Sequence, residues 1–350
     1  MIRSALLLGA GILVATALAC APAVAPPAAF AAGTVNCTSP ANFAASAQRL
    51  VATFVPNPLG PPGNVPTSSG PITNPGILSD LAAAFSLAPT GFLNELCGST
   101  GNPPVSLFIQ DCPPAPGVCT VGSWGYRQRA TGARFIALSA GLWPGTARAL
   151  PYPAFETAVI DNLVGVTGLA SYVSASNDSP EMTVLAVMAH ELGHILFWNK
   201  GLINRPCPSP LPPGVDRIFW KIAWQNPAGP PAFHNFGDQF PTDRRLRGPS
   251  KNDVKANAGN PPAARALLQQ IYGGDWASLL ANVAPDEDLI ETYKLSILTT
   301  AQNVGKGPLT SLVVTIPMIG SVDVTRGLFL SGDPNKWLSK KRTWVNNCMS

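Results

Sequence analysis

Ser179-Pro180-Glu181-Met182-Thr183-Val184-Leu185-Ala186-Val187-Met188-Ala189-His190-Glu191-Leu192-Gly193-His194-Ile195-Leu196-Phe197-Trp198-Asn199-Lys200-Gly201 is the stretch on which the reading of this chain turns. It reads as a helix from about Pro180 to Asn199. Ser179 is a favoured N-cap residue, Pro180 suits the first helical position, and Glu181 meets the positive end of the helix dipole. Gly201 stands where a glycine stop is expected. Met182, Leu185, Val187, Met188, Leu192, Ile195, Leu196 and Phe197 cover most of the circumference, so the helix belongs in the interior.

Into this apolar helix the sequence sets two of the chain's three histidines. Positions four apart share one helix face, so His190 and His194 can reach a single metal ion. Glu191 projects beside that ion rather than at it, where it can take a proton from metal-bound water. Burying two histidines and a glutamate together without a cation would be costly. The expected cofactor is Zn2+. A catalytic zinc takes three protein ligands and leaves a fourth position to water. A metzincin would carry glycine and histidine where Phe197 and Lys200 stand, so that pattern fails.

The third ligand must come from elsewhere, and the downstream acidic residues compete with His234. The segment Pro285-Asp286-Glu287-Asp288-Leu289-Ile290-Glu291-Thr292-Tyr293 resembles the third-ligand helix of the gluzincins. In that family a downstream helix offers Glu to zinc, and an acidic residue four positions later supports a ligand histidine. The resemblance therefore implies Glu287 as the ligand and Glu291 as the support. The E-x-x-x-E form followed by an aromatic is especially similar to the zinc domain of anthrax lethal factor. The likeness covers two short segments only. A zinc-bound His usually donates its far N–H to a carboxylate, and Glu291 lies one turn after Glu287 on the same face. Asp286 and Asp288 read as an acidic first turn favoured by the helix dipole. His234 is also a candidate donor to a developing oxyanion, with Tyr272 and Tyr293 as rivals.

The rest of the chain fits an exported enzyme. Arg3 followed by an uncharged run from Ala5 to Leu18 and then small residues reads as a signal peptide, residues 1–31, with cleavage after Ala31 or after Ala19. Loss of Cys20 with the signal leaves six cysteines: Cys37, Cys97, Cys112, Cys119, Cys207 and Cys348. An even set in an exported chain points to disulfides, with Cys112–Cys119 and Cys207–Cys348 as candidate pairs. Charged residues are 12% of the chain and the net charge is +4, so nothing resembles a nucleic-acid footprint. Arg244-Arg245-Leu246-Arg247 and Lys340-Lys341-Arg342 read as solvated faces. Asn36-Cys37-Thr38 and Asn177-Asp178-Ser179 match the N-glycosylation sequon.

Residues 32–125 read as a helical and irregular region, a subdomain or a pro-segment, and 126–350 as the catalytic domain. Helices are expected at Asn42–Phe54, Ile77–Leu87, Phe155–Leu163 and Asp286–Thr300, and a strand at Arg134–Leu138. Residues after Leu87 read as irregular to about 122. The expected fold is α+β and zincin-like, a small disulfide-stabilised sheet packed on the His190 helix. The expected function is that of a secreted zinc metallopeptidase, extracellular or periplasmic, acting on protein or peptide without stable membrane association. The alternative is a secreted binding or adhesion protein with the same fold and a non-catalytic zinc.

Overall fold

A computed structural model describes residues 33–50, 66–99, 101–111, 123–128, 131–144, 148–165, 167–169, 172–200, 205–225, 245–246, 248–302, 307–329 and 336–349. The segment expected to be a signal peptide, Cys112, Cys119, Gly201 and His234 lie outside them. In chain order the elements begin with α1 (Pro40–Ser46), β1 (Gln48–Leu50), β2 (Ser68–Pro71), α2 (Pro75–Leu87), α3 (Thr90–Leu96) and β3 (Val105–Gln110). There follow β4 (Trp124–Arg127), β5 (Arg134–Ser139), α4 (Tyr152–Val164), β6 (Tyr172–Ala175) and α5 (Pro180–Lys200). After short β7 (Trp224–Gln225) and β8 (Arg245–Leu246) come α6 (Lys251–Ala256), α7 (Pro261–Tyr272) and α8 (Pro285–Thr300). The chain ends with β9 (Leu312–Ile316), β10 (Gly320–Asp323), α9 (Val324–Phe329) and α10 (Trp337–Cys348).

The protein is a mixed α+β fold with small sheets. The main sheet runs β2-β1-β3-β5-β4, and a second runs β10-β9-β6. In the main sheet β1, β3 and β5 are parallel, with β2 and β4 antiparallel at the edges. β1, β3 and β5 are its interior strands, and β3 and β5 its apolar centre. Val105, Leu107, Phe108, Ile109, Phe135, Ile136, Ala137 and Leu138 are all buried, the continuous apolar run of a strand covered on both faces. The sheet crosses residue 125, since β1 and β3 precede it and β5 follows. Helix α5 lies against β4 and β5 on one side and meets α2 and α8 on others.

Two expectations about the N-terminal part are corrected. The helix expected at Asn42–Phe54 is short: Ser39 caps it by accepting from the Asn42 N–H, and Ala47 already has extended backbone. Gln48–Leu50 then pair with both β2 and β3, so strand pairing overrides helical periodicity. The stretch after Leu87 read as irregular contains α3 and β3. The interval between α5 and α8 likewise holds two helices, α6 and α7.

Disulfides Cys37–Cys97 and Cys207–Cys348 are present. The first joins the chain before α1 to the end of α3, and the second ties the end of α10 to the segment before residue 220. Asn177 is buried and donates its amide to the Gly307 carbonyl, so that sequon is closed in the folded chain. Among the described residues no helix is long and apolar enough to cross a membrane.

Candidate metal centre

Helix α5 begins at Pro180 as expected, but Ser179 does not cap it with its side chain. Its Oγ is buried and makes no hydrogen bond among the described residues. Its N–H is taken by Asn177 Oδ1, and its carbonyl accepts from Met182. Asn177 shapes the entry to the helix instead. Glu181 holds the first turn to Arg148, which also pairs with the buried Asp80. Interior burial of α5 then leaves His190 and His194 partly open on one face, between α5 and α8.

Three ligand-type groups converge there. His190 Nε2 lies 3.2 Å from His194 Nε2. Glu287, from the first turn of α8, places Oε2 3.6 Å from His190 Nε2 and Oε1 3.6 Å from His194 Nε2. Ligands of a tetrahedral zinc at about 2.0–2.1 Å would stand about 3.3–3.4 Å from one another. The two histidines and the Glu287 carboxylate thus form a triangle with sides close to that spacing, each histidine facing a different carboxylate oxygen. Glu287 Oε2 is buried and makes no hydrogen bond among the described residues, a donor atom left for a cation. Donor set and spacing both fit zinc. Ligand-type atoms within 4.8 Å of one another form two groups, His190 with Glu191 and His194, and His194 with Asp286 and Glu287, so Asp286 stands closer to the site than an acidic first turn suggests.

Behind the triangle His190 Nδ1 meets Glu291 Oε1 at 2.7 Å. With the proton on Nδ1 donated to that carboxylate, Nε2 keeps its lone pair for a metal. The other oxygen, Oε2, accepts from Lys294 Nζ at 2.6 Å and from the Ser278 hydroxyl. Burial pushes the Glu291 carboxyl up, but Lys294 and His190 outweigh it and hold it well below the usual carboxylate range.

Glu191 sits beside His190 and is buried. The Gly125 N–H, on the outer strand β4, hydrogen-bonds to its carboxylate, while Oε2 makes no hydrogen bond among the described residues. A Cβ at Gly125 would lie 1.9 Å from the Glu191 carbonyl oxygen, so only glycine lets β4 approach α5 this closely. Sequence reading missed Gly125; a glycine next to a strand aromatic is its only signal.

The charges fit a cation site. Burial raises the Glu191 carboxyl to about 7 and that of Glu287 to about 8. Burial would lower His190, but the Glu291 hydrogen bond and the neighbouring carboxylates raise it to about 9. His194 falls to about 3, through burial and then through the charge on His190.

A cavity of about 220 Å³ opens beside His190 and Glu191. Phe155, Val159 and Leu163 of α4, Val187 and Leu280 form its apolar wall, and Glu291 and Lys294 line its polar part. Tyr272 and Tyr293 are not among the lining residues. Tyr272 is buried and its hydroxyl accepts from the Leu279 N–H.

A scan of protein-family models finds no match, and neither the curated proteins nor the solved structures yield a similar chain.

Proposed function

We propose that the protein is an exported zinc metallopeptidase of zincin-like fold, with His190, His194 and Glu287 as ligands and Glu191 as general base. The observation that carries the reading is the triangle of His190, His194 and Glu287, with a buried, under-bonded Glu191 beside it. Zinc bound there would supply a Lewis acid for the scissile carbonyl and would lower the pKa of a bound water toward about 7. Glu191, raised to about 7 by burial, is suited to accept the water proton and pass it to the leaving nitrogen. Glu291 fixes the His190 ring. The outer strand β4 offers a backbone edge beside Glu191, to which an extended peptide can add as a further strand. The cavity walled by Phe155, Val159 and Leu163 suits an apolar side chain next to the cleaved bond. Two disulfides support an oxidising compartment.

Glu191→Gln tests this directly. The variant should bind zinc and melt like the parent, yet lose about 100- to 10,000-fold in peptide hydrolysis. Cleavage of a mixed peptide library at the parental rate by this variant, or a purified parent that takes up no zinc, would end the reading.

A further inference from the structure

We propose that Lys294 is a positioning residue for the metal centre: it pins the Glu291 carboxylate so that Oε1 is presented to His190 Nδ1. The inference rests on the reading of His190 as a zinc ligand. Lys294 follows Glu291 by three residues on α8, and its side chain is 7% exposed. A buried ammonium is retained only where carboxylates hold it. Two do so here. Nζ stands 2.6 Å from Glu291 Oε2 and 2.9 Å from Glu156 Oε1. Glu156 belongs to α4 and also accepts from the Tyr152 hydroxyl at 2.8 Å.

The terminal torsion of a glutamate is broad, so one carboxylate oxygen can replace the other. In Glu291 that freedom is removed from the back. Lys294 and Ser278 occupy Oε2, leaving Oε1 to the imidazole. Because Glu156 anchors Nζ from a different helix, the clamp fixes Glu291 relative to α4 as well as to α8. The metal-facing nitrogen of His190 is thus set by a chain running Tyr152, Glu156, Lys294, Glu291, His190. Lys294 also lines the cavity beside Glu191, so the clamp forms part of the site's wall.

The test uses the full chain stripped of metal and titrated with Zn2+ against a chelator of known affinity. Lys294→Met should weaken zinc binding about tenfold, in the range seen when groups behind a ligand are removed. Lys294→Arg should recover most of the loss. Lys294→Met leaves Glu156 and Glu291 without their cation, which by itself destabilises the fold. The double variant Glu156→Gln/Lys294→Met removes the charge stranded on Glu156, while Glu291 keeps His190 and Ser278 as partners. It should keep the parental circular dichroism and still bind zinc about tenfold more weakly. ¹⁵N spectra of the ring nitrogens in the zinc-loaded protein should show His190 leaving the single Nδ1–H form in Lys294→Met and in the double variant. Parental zinc affinity in the folded double variant, with Glu291→Gln clearly weakened, would overturn the role of Lys294 alone. A parent that binds no zinc would overturn the metal centre and this inference together.

Discussion

Helix α8 carries two buried carboxylates less than one turn apart, each paired with a lysine, and the two pairs do different work. Glu291 pairs with Lys294 and hands its free oxygen to His190. Asp288 pairs with Lys341 of α10 at 2.8 Å and accepts from the Trp224 indole at 3.0 Å. Lys341 Nζ also lies 3.6 Å from the Trp276 ring centre and donates to the Asp275 carbonyl. Every partner of Asp288 is scaffold; one partner of Glu291 is a candidate ligand. Burial raises Asp288 to about 6 against the pull of Lys341, whereas Glu291 is held well below the usual range. The same residue types therefore give a structural latch at one position and a support for the candidate ligand His190 at the other. Charge alone does not tell them apart; what the second carboxylate oxygen touches does.

Removing each lysine should separate the two roles. Lys341 and Asp288 are both fully buried, so Lys341→Met strands an uncompensated carboxylate. The expected loss is about 3–5 kcal/mol of folding stability, read by denaturant titration. Zinc affinity of the folded fraction should change less than in Lys294→Met. If Lys341→Met weakens zinc more than Lys294→Met at equal folded fraction, Asp288 belongs to the metal centre and the contrast fails.

That contrast was half visible in the sequence. The nearly all-round apolar character of α5, the spacing of His190 and His194, and the strand at Arg134 are local patterns, and they appear at their expected places. Glu287 and Glu291 share a face by helical geometry, and α8 brings that face to the two histidines. Cys207–Cys348 was one of many possible pairings. Asp288 and Lys341 were read as solvated, because a charged turn and a basic run look exposed when the partner lies 53 positions away. Their burial depends on α10 packing against α8, which no local pattern encodes. Lys294 is legible only once Glu156, from a third helix, stands opposite it. β1 shows the same limit. Its residues continue a helical pattern, and only pairing with β3 makes them a strand.

The metal side of the comparison has its own signature in pH. Glu191 and Glu287 titrate at about 7 and about 8 in the fold against 4.5 in the open chain, and His190 at about 9 against 6.5. All three hold protons more tightly when folded. Their contribution is complete below the open-chain values and is lost as pH rises through the folded ones. His194 opposes them, at about 3 against 6.5, but above 6.5 it no longer varies. Metal-free protein should therefore melt at falling temperature between pH 7 and 9. Zinc displaces those protons, so the rise in melting temperature on adding zinc should grow over the same range. Calorimetry of stripped and zinc-loaded protein checks both slopes. A zinc-induced rise that shrinks with pH would mean that the ion binds elsewhere.

The smallest effect is expected at Gly193, between the two histidines. A Cβ there would stand 3.1 Å from Ile290 Cγ2 and 3.4 Å from Tyr293 Cδ1, so α8 must yield by a few tenths of an ångström. Alanine gains about 1 kcal/mol over glycine in a helix interior, and this offsets the crowding. Gly193→Ala should thus leave stability within about 1 kcal/mol of the parent. Ile290 lies between Glu287 and Glu291, so the same small shift acts on the metal side of α8 and should weaken zinc about threefold. The Asp288–Lys341 latch should hold, with unchanged protection of the Trp224 indole N–H from hydrogen exchange. Stability raised by the full helix gain with parental zinc affinity would show that the α5–α8 contact is loose enough to absorb a methyl group. In that case the ligand geometry does not depend on how closely the two helices pack.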